Sequence, residues 1–474
     1  MSAMIKFGTD GWRAVIAEDF TFANVRACAQ GVADYLKGVG QGKGGVVIGY
    51  DTRFASEDFA AASAEVLAGN GIKAFLFPRA APTPVTSYTV TALKADGAIM
   101  ITASHNPGEY NGFKYKMDSG CSAPTDIITE IEKNANAAAA TEKIRRLNLD
   151  DALKKKLVSY HDPYHAYEKH LNTLINIESL KQQRFNLVVD SMFGAGIGYF
   201  KRLLDGGKIE IHEINRARNP LFPGIQPEPI SKNLGKLARQ VIRDGANVGF
   251  ATDGDADRIG IMDENGRYMT TQEVFALLAI YLLDVRKERG GLVKTLTSTD
   301  MLFTIGELYN VPVYETQVGF KYVAPVMIRE RALLGGEESG GYGFRGHIPE
   351  RDGILAGLYI IDYLTSTGKT PSQLLADLFK KVGPHYYDRL DIHTSEESKQ
   401  KMLARISAAK VEKIGGQKVV SLDTRDGFRY KLEDGAWLLM RFSGTEPLVR
   451  IYAECASSKE VQKLIQHGQE MVGV

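Results

Sequence analysis

A chain of 474 residues, 44% hydrophobic and 24% charged, has the composition of an ordinary globular protein and is too long for a single core. Its 58 basic and 57 acidic side chains leave a formal charge of +1, so no global field draws it to nucleic acid or to an anionic membrane. Cys28, Cys121 and Cys455 are far apart and odd in number, which excludes a disulfide framework and suits a reducing cytosol.

The opening MSAMIKFGTDGWRAV lacks the apolar stretch of a signal peptide, and a cytoplasmic protein is expected. GGVVIGYDTR (44–53) then reads as a buried strand ending at Asp51, and SEDFAAASAEVLAGNG (56–71) has helical spacing with glycine near its end. IKAFLFPRAAPTPV (72–85) begins another strand, and Ile99 to Ile101 end one more before the abrupt turn Asn106-Pro107-Gly108. Ser104 falls where that strand gives way to the turn. By itself the stretch leans to a plain turn residue over a nucleophile.

NANAAAATEKIRRLNLDDALKKK (134–156) reads as a helix followed by a polar connection. The strand–helix scheme returns at FNLVVDSMFGAGIGYFKRLLDGG (185–207) and at ANVGFATDGDADRIGIMDENG (246–266), each strand carrying an aspartate at or just past its carboxyl end. Such alternation predicts mostly parallel sheets covered by helices. GAGIGYF (194–200) has G-x-G-x-G spacing, which reads as a tight strand-to-helix turn rather than a dinucleotide site. VFALLAIYLLDV (274–285) is too short to span a bilayer and reads as a core helix. TSTGKTPSQ (365–373) reads as a connection before a last helix. From about residue 385 short strands with turns predict an α+β module with an antiparallel sheet.

The densest chemistry is TDGDADR (252–258). Asp253, Asp255 and Asp257 alternate directly after a strand, and three carboxylates converge when a hard cation, Mg²⁺ or Ca²⁺, holds them. Glu264 stands at the twelfth position of an EF-hand count, but Arg258 takes the sixth, where the sharp turn needs glycine, and both flanks read as strands. In RFSGTEPLVR (441–450), Arg441 opens a loop whose Ser443, Gly444 and Thr445 offer hydroxyls and backbone N–H groups to an anion. In GGEESGGYG (335–343), Glu337, Glu338 and Ser339 occupy a glycine-rich bend suited to a hydroxyl-rich ligand. His161, His165 and His170 lack metal-ligand spacing.

FGTDGWR, TASHNP with NGFK, DGDADR, VGFK, GEESGG and RFSGTEP, in that order, resemble the motifs of the α-D-phosphohexomutase superfamily, the phosphoglucomutases and phosphomannomutases. The resemblance covers essentially the whole chain. It implies an α/β protein of three similar α/β domains with mixed sheets and a C-terminal α+β domain around a central cleft, expected at 1–156, 157–264, 265–382 and 383–474. It also implies that Ser104 is carried as a phosphoserine, and that Asp253, Asp255 and Asp257 bind Mg²⁺ with an oxygen of that phosphate. Arg13, Lys114, Arg258 and Lys321 match basic positions of the cleft, and His105 matches the histidine after the serine. Glu337 and Ser339 would contact sugar hydroxyls, and Arg441, Ser443, Gly444 and Thr445 would hold the phosphate that is not reacting.

Ala256 departs from the pattern, standing where many members have glycine. The implied activity interconverts hexose 1- and 6-phosphates, glucose first, through a hexose 1,6-bisphosphate that is intermediate and activator. A phosphomannomutase, a dual-specificity mutase and a non-catalytic sugar-phosphate sensor are the alternatives. The expected partners are sugar phosphates, with no nucleic acid and no membrane; the oligomeric state is open. His105 and Lys114 both stand near enough to Ser104 in sequence to be its general base.

Overall fold

Four sheets follow one another along the chain. The computed structural model describes residues 4–8, 10–444 and 447–474. The first sheet holds β1 (Trp12–Val15), β2 (Val46–Tyr50), β3 (Ala74–Leu76), β4 (Gly97–Ile101), β5 (Tyr110–Met117) and β6 (Val158–Tyr160) in the order β1-β5-β4-β2-β3-β6. β2 and β4 are buried throughout and pair in parallel, as their unbroken apolar runs predict, while β5 returns antiparallel along β4. The second sheet holds β7 (Phe185–Asp190), β8 (Ile209–Ile214), β9 (Val248–Thr252), β10 (Ile259–Met262) and β11 (Tyr268–Met269), ordered β11-β10-β9-β7-β8. The third holds β12 (Leu292–Thr295), β13 (Val313–Thr316), β14 (Leu334–Gly336) and β15 (Tyr342–Phe344), ordered β13-β12-β14-β15. Each of these three sheets is mixed: a parallel centre is closed on one side by antiparallel strands.

The fourth sheet is antiparallel in every pairing. It contains β16 (Tyr386–His393), β17 (Lys413–Ile414), β18 (Gln417–Asp423), β19 (Phe428–Leu432), β20 (Trp437–Phe442) and β21 (Leu448–Cys455).

Hydrophobic packing divides the molecule differently from the sheets. One continuous core runs from Ile5 through the first three sheets to Leu378, whereas the fourth sheet closes its own core around Leu438, Met440 and Ile451. A small cluster of Leu296 with Trp437, Leu439 and Tyr452 joins the two. The apolar run 274–285 is the buried helix Thr271–Ile280, opened by a Thr270–Glu273 capping box and continued as a π-helical turn. Among the described residues no helix is long and apolar enough to cross a membrane.

Two sheets outrun the boundaries expected from sequence. β6 pairs with β3 just past residue 156, and β11 pairs with β10 past residue 264. Neither strand advertises itself: of β6 only Val158 is buried, and β11 has two residues. The connection after the helix Thr125–Thr141 also contains a short helix of its own, Leu149–Lys154, capped by Asn148.

Candidate active site

Each α/β sheet delivers one motif from the carboxyl end of a strand, where open α/β sheets form their ligand sites. β4 leads to Ser104, β9 to Asp253 and β14 to Glu337. Ser104 is buried and takes a left-handed φ of +52°, uncommon for a residue with a side chain. Its N–H donates to Thr102 Oγ1 at 2.8 Å, and its carbonyl accepts from Arg53 Nη2 at 2.7 Å. The same guanidinium donates to the carbonyls of Asn106 (2.6 Å), Pro107 (2.7 Å) and Tyr110 (2.9 Å), and its Nε to Asp51 Oδ2 at 3.1 Å. One fully buried arginine thus holds the whole 104–110 loop. Ser104 Oγ then points at the second domain, donating to Asp253 Oδ2 at 2.9 Å, with His105 Nδ1 3.4 Å away.

Asp253, Asp255 and Asp257 are buried, and each offers an oxygen within 4.8 Å of the others. Oδ1 of Asp255 and Oδ1 of Asp257 are buried without a hydrogen-bond partner. Orphaned carboxylate oxygens converging on one point are costly unless a cation satisfies them, and this all-oxygen set fits Mg²⁺. The strand flanks, β9 and β10, exclude the EF-hand geometry. Ala256 is accommodated between the aspartates at φ +55°. The G-x-G-x-G turn supports this loop from below, Ala195 N–H donating to the Gly254 carbonyl at 2.9 Å.

The carboxyls differ sharply in electrostatics. Burial and the neighbouring carboxylates Asp255 and Asp257 push Asp253 well above the usual range. Burial, partly offset by Arg351, brings Asp257 to about 6. For Asp255 burial is outweighed by Lys114 and the Thr83 hydroxyl, and the carboxyl is held low. Burial likewise fails to lower Lys114, because Asp10 and Asp255 stand 2.8 and 2.9 Å from its Nζ and raise it. His105 goes the other way: burial, then the charges of Arg258 and Arg13, hold it well below its ordinary value.

An ionic net ties three domains together here. Arg351 reaches Asp257 (2.6 Å), Glu337 (2.8 Å) and Asp10 (3.3 Å), and Lys116 pairs with Glu350. Arg258 donates its N–H to Asp253 Oδ1 at 3.2 Å and sets its guanidinium 3.8 Å from Asp257. Arg13 bonds Asn106 Oδ1 at 2.9 Å. Of the residues singled out from sequence, Ser104, His105, Arg13, Lys114, Arg258, Glu337 and the three aspartates therefore meet. Ser339 lies half-buried in the turn after Glu337, whereas the Glu338 carboxylate pairs with Arg389 of the C-terminal domain at 3.2 Å.

Lys321 and Arg441 take other partners, Thr125 Oγ1 at 3.1 Å and Asp426 Oδ1 at 2.9 Å. Ser443 accepts from Lys399 at its carbonyl, Gly444 is exposed, and Thr445 lies outside the described residues. Asp10, Arg53, Lys116, Glu350 and Arg351 were not anticipated. A signal existed for the last two: Glu350-Arg351-Asp352 is a charged triplet directly ahead of the very apolar helix Gly353–Thr367, where bulk solvation is not available.

The chain matches four family descriptions in order: phosphoglucomutase/phosphomannomutase alpha/beta/alpha domain I (residues 4–142), domain II (165–266), domain III (270–382) and the C-terminal domain (393–467). It is 31% identical over 472 residues to a phosphoglucomutase/phosphomannomutase of Thermococcus kodakarensis, covering 98% of each chain. It is also 31% identical over 474 residues to a Pyrococcus furiosus protein described as a phosphoglucosamine mutase, covering 98% of this chain and 97% of the relative. A crystal structure from Thermus thermophilus, described as a phosphomannomutase, superposes with a TM-score of 0.86 at 35% identity and full coverage of both chains. An Aspergillus fumigatus N-acetylphosphoglucosamine mutase, solved with GlcNAc-6P and magnesium, shares the fold at 16% identity and a TM-score of 0.63, covering 99% of this chain and 96% of that one. With its motifs, its four sheets and these relatives in agreement over nearly the whole length, the chain belongs to the phosphoglucomutase/phosphomannomutase family of the α-D-phosphohexomutase superfamily, mutase isomerases that act as intramolecular phosphotransferases.

Proposed function

We propose that this mutase interconverts hexose 1-phosphate and hexose 6-phosphate, glucose being the favoured sugar, through a phosphoserine at Ser104 and a hexose 1,6-bisphosphate intermediate. The observation that carries the reading is Ser104 Oγ, fixed 2.9 Å from Asp253 at the mouth of three buried aspartates. Mg²⁺ held by Asp253, Asp255, Asp257 and a phosphoserine oxygen would supply charge neutralisation at the transferring phosphoryl group. Around it Arg258, Lys114 and Arg13 bring fixed positive charge, which is most of what phosphoryl transfer asks of a protein. His105, its Nδ1 3.4 Å from Ser104 Oγ, and Lys114, paired with Asp255, are the candidates to exchange the proton of the attacking hydroxyl. Glu337 and Ser339 face the sugar hydroxyls, and the loop opened by Arg441 takes the distal phosphate. That loop must accept either end of the sugar, so it reads phosphate and leaves sugar identity to the 337–339 bend.

A phosphoglucosamine mutase is the second reading, favoured by the names of several relatives such as the Pyrococcus protein. Against it, Glu338 stands where that branch usually has glutamine, and its carboxylate is committed to Arg389. The deciding experiment compares kcat/KM for the 1-phosphates of glucose, mannose and glucosamine, with Mg²⁺ and a trace of the matching bisphosphate. The expected result is highest turnover with glucose 1-phosphate, and none in a folded Ser104→Ala variant. Wild-type turnover in that variant would end the phosphoserine reading, and a preference for glucosamine 1-phosphate would replace the sugar assignment.

A further inference from the structure

The turn between β18 and β19 lies against residues 315–318 of the third domain. The Arg425 carbonyl accepts from Gln317 Nε2 at 2.7 Å, and its guanidinium donates to the Glu315 carbonyl at 3.1 Å and carboxylate at 2.9 Å. Asp426, at the tip, divides its two oxygens between domains. Oδ2 accepts from Val318 N–H at 2.9 Å, and Oδ1 accepts from Arg441 Nε at 2.9 Å. Gly427 permits this approach: at φ +102°, a Cβ there would stand 2.5 Å from the Met440 carbonyl and 3.1 Å from Arg441 Cα. The turn is therefore pressed onto the strand that carries Arg441.

The contact has a telling asymmetry. Asp426 grips Arg441 through one nitrogen with one negative charge, and both side chains keep some solvent, 16% exposed for Arg441 and 19% for Asp426. A phosphate brings nearly two charges and several oxygens, and it takes a guanidinium by its fork. It is therefore better matched to the guanidinium than one carboxylate oxygen is. The other oxygen of Asp426 holds the amide that opens the segment Val318–Lys321. Within that segment, the Phe320 ring lies 5.7 Å from the Arg351 guanidinium, which itself grips Asp257 and Glu337.

We propose that Asp426 is a positioning residue that stands in for phosphate at Arg441, is displaced when phosphate arrives, and so transmits occupancy of that loop to the Val318–Lys321 segment. This rests on the reading of the Arg441 loop as the distal phosphate site. The remaining contacts between these domains, among them Asp300 with Arg429 at 2.7 Å and Leu296 packed with Trp437, do not pass through Arg441, so the domain stays docked while the contact exchanges.

Calorimetry with inorganic phosphate on the full-length protein tests this. Asp426→Asn is isosteric, removes the competing charge and keeps one acceptor oxygen, which can stay on the Val318 amide, and the phosphate Kd falls about threefold or more, the scale of a partly exposed ion pair. In an Arg441→Ala background the same substitution changes nothing, closing a double-mutant cycle. By hydrogen exchange, saturating phosphate speeds the Val318 amide about threefold or more in the unsubstituted protein. A Kd that is unchanged or higher in Asp426→Asn, or a Val318 amide that does not respond, overturns the proposal. Phosphate affinity untouched by Arg441→Ala removes the phosphate-loop reading itself, and the proposal with it, which separates the two failures.

Discussion

Replacing Arg53 by lysine keeps the charge and discards the fork. In the native protein this buried guanidinium makes five hydrogen bonds, to Asp51 and to the carbonyls of Ser104, Asn106, Pro107 and Tyr110. An ammonium has at most three donors, so at least two acceptors lose their partner even if the lysine reaches the same point. At about 1.5–3 kcal/mol for each hydrogen bond to a charged group, the loss is about 3–6 kcal/mol. A domain is held together by about 5–15 kcal/mol, so Arg53→Lys folds, with a slackened serine loop. A displacement of Ser104 by about 1 Å then costs roughly 100-fold in turnover. Hydrogen exchange of the β4 amides gives the first number and steady-state kcat the second. Stability within about 1 kcal/mol of the parent, together with kcat within about threefold, would refute the idea that one arginine organises the loop.

A Cβ on Gly341 would stand 2.2 Å from Arg351 Cδ, so Gly341→Ala pushes that guanidinium off Asp257 and Glu337. The expected cost is about 1–3 kcal/mol of stability with a larger fall in kcat, and unchanged kinetics would take Arg351 out of the site. Chelation should abolish turnover and lower Tm, with Mg²⁺ restoring both; activity that persists in chelator contradicts the assignment of the three aspartates. At the junction of the third and fourth domains, burial would lower His385, but its contact with Glu454 at 2.9 Å prevails and raises it above 6.5. The folded state therefore favours its protonated form: that stabilisation is complete below the unfolded value and disappears as pH rises through the raised folded value. Tm should decline over that rise, and His385→Gln should flatten the decline; identical profiles in the two proteins would show that the pair is inert.

Much of the architecture was visible in local sequence. β2, β4 and β7 are apolar runs that only a sheet covered on both faces can use, and the alternating aspartates after β9 converge, each with an oxygen within 4.8 Å of the others, as their spacing suggested. What stayed hidden depends on partners far away in the chain. Arg351 meets Asp257 across 94 residues and Asp10 across 341, and a lone arginine in sequence looks like any solvated surface charge. Arg53 was hidden for the same reason, since its carbonyl acceptors carry no residue identity. The edge strands β6 and β11 escaped because a short strand with one buried side chain has no period to read.

The charge balance around the aspartates also sets an order of events during synthesis. Lys116 finds Glu350 only 234 residues later, which at about 5–20 residues per second is a delay of about 10–50 s. Lys114 waits 141 residues for Asp255 of the second domain, with Asp10 beside it until then, and Lys116 waits longest, for Glu350 of the third. A nascent first domain is thus an electropositive, half-built cup that keeps its lysines hydrated. Neutralisation of this cluster therefore proceeds domain by domain, and the last charges to reach it are Glu350 and Arg351 of the third.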